Sequence, residues 1–338
     1  MNRNNSPQLP AYRPPFWLRG GHLQSIWPKL VRIGSPAYRR ELLPDSLGAT
    51  EVAYDFVDGK RPDAPLLMLF HGLEGSSASH YARALMFAAQ RHGWHGVVAH
   101  FRSCGEVENR APVFYHSGDS AEVAHMLQLM HSRYPRICAV GISLGGNALA
   151  KYLAEQGSRA IPQAAAVVSA PLDLTAASHR LEQGLSKMLY APYFLRSLLP
   201  KAAACAARFP QIDAAAVQAA ANLTDFDNSF TAPVHGFADA ADYYRRSSAK
   251  PLLHQIAVPT LILNALNDPF IPAESLPKAG DVSPSVTLLQ PEYGGHAGFP
   301  GTADLDWLPD IVLRYFDGVA AKGTPKKKGG FFWGPFIY

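Results

Sequence analysis

Apolar and polar positions follow two rhythms along most of this chain. Residues 50–58 alternate, with Val52, Tyr54 and Phe56 on one face, which predicts a half-buried strand. Leu66–Phe70 is an unbroken apolar run between Pro65 and the pair His71-Gly72, the pattern of a strand buried on both faces. Similar short runs at 96–101, 136–140, 164–170, 260–265 and 286–289 predict further strands. Between them, the spacing predicts helices over 79–92, 119–132, 147–156 (closed by Gly157) and 305–316. Strands alternating with helices specify an α/β architecture with a mostly parallel central sheet flanked by helices. Its crossovers are right-handed, and its functional loops lie at the carboxyl ends of the strands.

The rhythm breaks between 172 and 250. That stretch is rich in Ala, Leu and aromatic residues, looks helical and supplies no strand pattern, so it reads as an insertion over the active end of the sheet. The expected organisation is an N-terminal extension packing on the core (1–49) and a core formed by 50–171 and 251–320. A helical cap insertion (172–250) and a C-terminal tail (321–338) complete it.

Composition narrows the class of function. With 48% hydrophobic and 17% charged residues over 338 positions, the chain can bury a large core. A net charge of +4 is too small and too scattered to indicate nucleic acid. Cys104, Cys138 and Cys205 are too few and too far apart for a disulfide framework or a zinc site, and Cys138 sits in an apolar run as a core residue. The opening residues are polar and proline-rich, without the apolar run of a signal peptide, and no stretch of about 18 apolar residues occurs. A cytoplasmic location is expected. Lys326-Lys327-Lys328 followed by the aromatic run 331–338 reads as a tail that docks on the body or makes weak peripheral contact with a membrane.

Chemistry enters at Gly141-Ile142-Ser143-Leu144-Gly145-Gly146, which follows a strand and opens a helix. That is the setting of a G-x-S-x-G nucleophile elbow, and it makes Ser143 the candidate nucleophile. The glycines are needed because Cβ atoms two residues either side of a serine on so sharp a turn would collide with neighbouring elements. His71-Gly72-Leu73-Glu74-Gly75 follows its own strand and should present the backbone N–H of Leu73. With the N–H of Leu144 it would form an oxyanion hole, leaving His71 as a side chain that fixes the turn. Asp268, after the strand at 260–265, is the expected acid. His296, between the glycines of Gly294-Gly295-His296-Ala297-Gly298, is the expected base. Asp119 precedes the nucleophile and starts a helix, which suits a cap better than an acid. Arg102 to Gly105, at a strand end, should shape the pocket wall. No metal or organic cofactor is required by this chemistry, and the partner expected is a small-molecule ester.

These residues resemble the YheT-type α/β-hydrolase family, related to the ABHD1/ABHD3 group of serine hydrolases. The likeness is carried by FHGLEGS at 70–76, HFRSCG at 100–105, the elbow at 141–147, GGHLQS at 20–25, ADYYRRSS at 241–248 and NDPF at 267–270. It covers residues 16–316 and implies the α/β-hydrolase fold and the same Ser143, Asp268 and His296. Ser25 stands where that family usually has Thr, and Asn267 where it usually has an acid. Membrane-anchored relatives process phospholipids, and no such anchor opens this sequence. The expected activity is therefore hydrolysis of carboxylic esters with small or medium acyl chains through an acyl-enzyme. The alternatives are an acyltransferase or a lipid (acylglycerol or phospholipid) hydrolase using the same residues, or a catalytically silent binding module.

Overall fold

A computed structural model describes residues 9–323. It contains an eight-stranded sheet with the strands β1 (Arg39–Pro44), β2 (Glu51–Val57), β3 (Leu66–Phe70), β4 (His95–Ala99), β5 (Ile137–Ile142), β6 (Ala164–Val168), β7 (Thr260–Leu263) and β8 (Val286–Leu289). Their order across the sheet is β1-β2-β4-β3-β5-β6-β7-β8. The β1–β2 and β2–β4 pairs are antiparallel and the remainder are parallel. This is the α/β arrangement expected from the alternation of strands and helices.

Four helices position the site: α1 (Gly21–Ile26), α2 (His80–His92), α3 (Ser120–His131) and α4 (Leu144–Gln156). One face of the sheet, including Met68, Phe70 and Val97, packs on Leu127 of α3 and Leu149 and Leu153 of α4. The opposite face, through Leu67, Leu69 and Val98, packs on Leu85 of α2 and on Ile311 and Phe316 of the helix Trp307–Gly323. β3 is buried at all five positions because helices cover both of its faces. Each such Leu or Phe contributes about 1.5–3 kcal/mol by leaving water.

Three differences from the sequence reading have clear physical causes. β1 lies within the segment read as an extension. It is an edge strand with no fully buried position, so selection for an alternating apolar face is weak there. α4 begins at Leu144 rather than Asn147, because Gly145 and Gly146, which look like turn residues, are already helical. The run from Arg102 to Gly105 does not line either cavity at Ser143. Arg102 is buried and bonds Asp45 at 2.6 Å, Asp119 at 3.1 Å and Glu122, while Ser103, Cys104 and Gly105 border a separate groove. Burial pushes the Asp119 and Glu122 carboxyls up despite Arg102, since one guanidinium faces three acids.

Residues 172–250 contain the helices Leu174–Leu181, Gly184–Arg208, Ala214–Gln218, Leu223–Phe226 and Ala240–Ser247 and, among the described residues, no strand. A separate apolar cluster built mostly from this stretch joins Leu195, Leu198, Phe226 and Phe230 to Phe114 of the core. Among the described residues no helix is long and apolar enough to cross a membrane. The run 331–338, read above as a docking or membrane-contact tail, lies outside the described residues.

Candidate active site

β5 ends at Ile142 and α4 starts at Leu144, so Ser143 alone makes the turn between them. Its backbone is forced to φ 53° and ψ −120°, a strained region for a residue with a Cβ. Close packing holds it there. A Cβ on Gly145 would come within 2.4 Å of His71 O, and one on Gly141 within 2.6 Å of Gly145 O. Only glycine allows β3, β5 and α4 to approach so closely.

The loop after β3 rests against this turn: a Cβ on Gly72 would stand 3.1 Å from Ser143 Cβ. His71 is fully buried. Its Nε2 accepts from Phe101 N–H at 3.1 Å, which leaves Nδ1 to donate to Gly72 O at 2.8 Å. Burial lowers its pKa to about 3, so the ring stays neutral and acts as a brace for the turn. Leu73 and Leu144 both border the cavity at Ser143. As the first residue of α4, Leu144 carries an N–H with no acceptor within the helix.

The candidate acid and base lie in the loops that follow β7 and β8. His296 Nε2 lies 2.9 Å from Ser143 Oγ, and His296 Nδ1 lies 2.8 Å and 3.1 Å from the two carboxylate oxygens of Asp268. Asp268 is buried and also accepts from Phe270 N–H at 2.8 Å. The Phe270 ring stacks on the imidazole, with centroids 4.0 Å apart and planes 19° from parallel. Asp119, the rival acid, instead accepts from Glu122 N–H at the start of α3 and bonds Arg102, as a cap and ion-pair partner.

Sequence reasoning missed how these loops are held. Gln24, fully buried in α1, accepts at Oε1 from Gly294 N–H at 2.8 Å and from Asn267 Nδ2 at 2.9 Å. Its Nε2 donates to Leu18 O. Ser25 Oγ accepts from His296 N–H at 2.8 Å and donates to Gly21 O at 2.7 Å. Asn267 completes the lattice by accepting from Gly295 N–H at 3.0 Å. Because Asn267 both donates and accepts, a carboxylate in its place could not make the bond to Gln24 Oε1. One short helix thus clamps the Asp268 and His296 loops together. The available signal was GGHLQS itself, in which Gly21 abuts Asn267 so closely that a Cβ would lie 2.0 Å from its carbonyl oxygen.

Two cavities meet at Ser143. One, of about 140 Å³, is mostly apolar, with Leu73, Phe114, Leu174, Phe194 and Leu198 among its walls. Its polar wall includes Asp227, which accepts from Tyr244 OH at 2.8 Å and whose pKa burial raises to about 6. The other, of about 370 Å³, is bordered by Lys29, Arg83, Tyr190 and Tyr193. Glu74 borders it too, but is bonded to Lys201 and Tyr115. Among the described residues, no group of three or more His, Cys, Asp or Glu side chains could hold a metal ion.

An elbow serine on a parallel sheet, with an acid and a histidine arriving in that chain order, defines a class of fold. A family model described as the alpha/beta hydrolase fold matches residues 65–301, and this chain belongs to that family. It is 40% identical over 311 residues to YheT of Escherichia coli K12, provisionally named an esterase, covering 88% of this chain and 91% of that one. It is 29% identical over 301 residues to human phospholipase ABHD3, covering 86% and 73% of the two chains. Among solved structures, an esterase of Pyrococcus furiosus superposes with a TM-score of 0.55 at 13% identity, covering 93% of this chain and 98% of that one. At that identity the likeness speaks for the fold alone.

Proposed function

We propose that the chain is a serine hydrolase of carboxylic esters and that Ser143, His296 and Asp268 are its catalytic triad. One observation carries this reading: the unbroken hydrogen-bonded path from Ser143 Oγ through both imidazole nitrogens to the Asp268 carboxylate. His296 Nε2 takes the Ser143 proton as Oγ attacks the acyl carbonyl. Asp268 fixes the tautomer with Nδ1 protonated and stabilises the imidazolium that forms. The backbone N–H groups of Leu73 and Leu144 receive the oxyanion, and each such donor is worth roughly 10²–10³ in rate. The imidazolium returns its proton to the departing alcohol. Water, activated by the same ring, then releases the acid.

In this reading residues 172–250 form a cap and the apolar cavity holds the acyl group. Its 140 Å³ is close to the roughly 150 Å³ that accommodates benzene in an engineered cavity, which favours small or medium acyl chains. A panel of 4-nitrophenyl esters of increasing acyl length tests it. Turnover should rise, pass through a maximum at short to medium length, then fall, and Ser143→Ala should abolish it throughout. Flat, Ser143-independent hydrolysis would overturn the proposal.

A second reading, hydrolysis of phospholipids, draws on the basic wall of the other cavity, where Lys29 and Arg83 line the same space as Ser143. Guanidinium and ammonium groups there suit a phosphate on the departing alcohol. Comparing kcat/KM for an acylglycerol and a phospholipid of the same acyl chain decides between the two.

A further inference from the structure

Large apolar side chains left in water are concentrated on one part of this molecule. Among the described residues, nine of the twelve exposed large hydrophobics fall within two segments, 16–30 and 185–193. Phe16 is 82% exposed, Leu30 65% and Met188 73%. The helix Gly184–Arg208 buries Tyr190, Leu195, Leu198 and Ala202 inward, yet carries Leu185, Met188, Leu189 and Tyr193 outward. Positions 185, 188, 189 and 193 repeat at helical spacing, so these four side chains form one outward apolar stripe.

The two segments touch. His22 Nδ1 and Tyr190 OH are 2.9 Å apart with their rings stacked, and Lys29 Nζ sits 4.0 Å over the Tyr193 ring. Together they rim the larger cavity at Ser143, which Ile26, Lys29, Tyr190 and Tyr193 border. Scattered exposed apolar residues need no explanation, but a clustered patch around the mouth of a site does.

The charge on these segments has one sign. Residues 9–32 carry Arg13, Arg19, Lys29 and Arg32 and no Asp or Glu; residues 184–200 carry Lys187 and Arg196 and no Asp or Glu. All six basic residues are exposed. The whole chain is nearly balanced, with 31 basic and 27 acidic residues, so this segregation is local. A second copy of the chain would bring like charges together on such a face. An anionic lipid surface would meet both the apolar side chains and the cations, which is how interfacial protein segments bind.

We propose that the rim formed by residues 16–30 and 185–193 docks on an anionic lipid–water interface, with the mouth of the Ser143 cavity facing the lipid. The docking rests on exposure and charge alone. Its consequence, that esters dissolved in the lipid phase reach the site without crossing water, rests on the hydrolase reading above.

Flotation of the full chain with vesicles of phosphatidylglycerol or of phosphatidylcholine tests it. Binding should favour phosphatidylglycerol and weaken as salt screens the charges. The surface variant Leu185→Asp/Met188→Asp should lose about tenfold or more in binding. Lys187→Ala should lose about fivefold, the effect of one basic residue at such a surface. Both variants should label with a fluorophosphonate, and hydrolyse a soluble short-chain ester, at the unaltered rate, which shows them folded. Three results would each overturn the docking: no vesicle binding, binding that the surface variant retains in full (whether or not deletion of residues 324–338 removes it), or a dimer that forms through these positions in place of vesicle binding. Vesicle binding as described, with no labelling of Ser143 in the unaltered protein, would leave the docking standing and overturn the hydrolase reading alone.

Discussion

Gln24→Met removes three hydrogen bonds and almost no volume. The thioether cannot accept from Gly294 N–H or Asn267 Nδ2 as the amide oxygen does, nor donate to Leu18 O. Because Gln24 is fully buried, water cannot step in without the loops opening. Each backbone group left unpaired costs about 1–3 kcal/mol, so a loss of about 4 kcal/mol in stability is expected. At roughly 2 cal/mol/K of unfolding entropy per residue, that lowers Tm by about 6 °C. The effect on rate has a separate origin. Gly294 and Asn267 lie two residues from His296 and one from Asp268, and a shift of about 1 Å in such groups costs about 10²-fold. Turnover of a soluble ester, with thermal unfolding followed in parallel, checks both parts. The expected outcome is a fall in kcat of between about ten- and a hundredfold with little change in KM. Full activity with Tm lowered would mean that Gln24 supports the fold without positioning the triad.

Other substitutions separate the remaining roles. Asp268→Asn should reduce ester turnover by roughly 10⁴-fold through the wrong imidazole tautomer. Asp119→Ala, which removes the oxygen that caps α3, should cost about 1 kcal/mol in chemical denaturation and leave turnover intact. Phe194 borders both cavities at Ser143, so Phe194→Ala should move the preferred acyl chain to greater length, each added methylene contributing about 0.8 kcal/mol until the space is filled. Asp227 holds its proton more tightly when folded, its pKa rising from 3.8 to about 6. The folded state is therefore favoured below about pH 4 and loses that advantage as pH rises to about 6. Asp227→Asn should accordingly gain about 2 kcal/mol above pH 6, after allowing for water in the cavity, and nothing at about pH 4. Urea midpoints across that range check the sign; a gain that grows toward acid would refute it.

What was legible in the sequence follows from how each residue does its work. Strands β3 and β5 announce themselves because burial on both faces demands unbroken apolar runs, and Gly141 and Gly145 because close backbone approach admits no other residue. The order Ser143, Asp268, His296, each just after a strand, identified the residues that meet in the structure at hydrogen-bonding distance. β1 was hidden because a solvated edge strand needs little apolar pattern. Gln24 was hidden because its partners lie 243 and 270 residues away, and nothing local to α1 marks a glutamine as buried. Arg102 was placed on the pocket wall because it ends a strand. Its three acidic partners, Asp45 and the pair Asp119 and Glu122 at the start of α3, come from two stretches of chain that only the folded structure brings to it.

The most direct test of the proposed mechanism is covalent labelling of the full chain by a fluorophosphonate, read by intact mass and peptide mapping. One equivalent should add, and the modified peptide should carry it on Ser143. Ser143→Ala should abolish the adduct, and His296→Ala should slow it by several orders of magnitude while the protein stays folded by circular dichroism. An adduct on a different serine, or a folded protein that takes up no label, would contradict the assignment of Ser143 as an activated nucleophile.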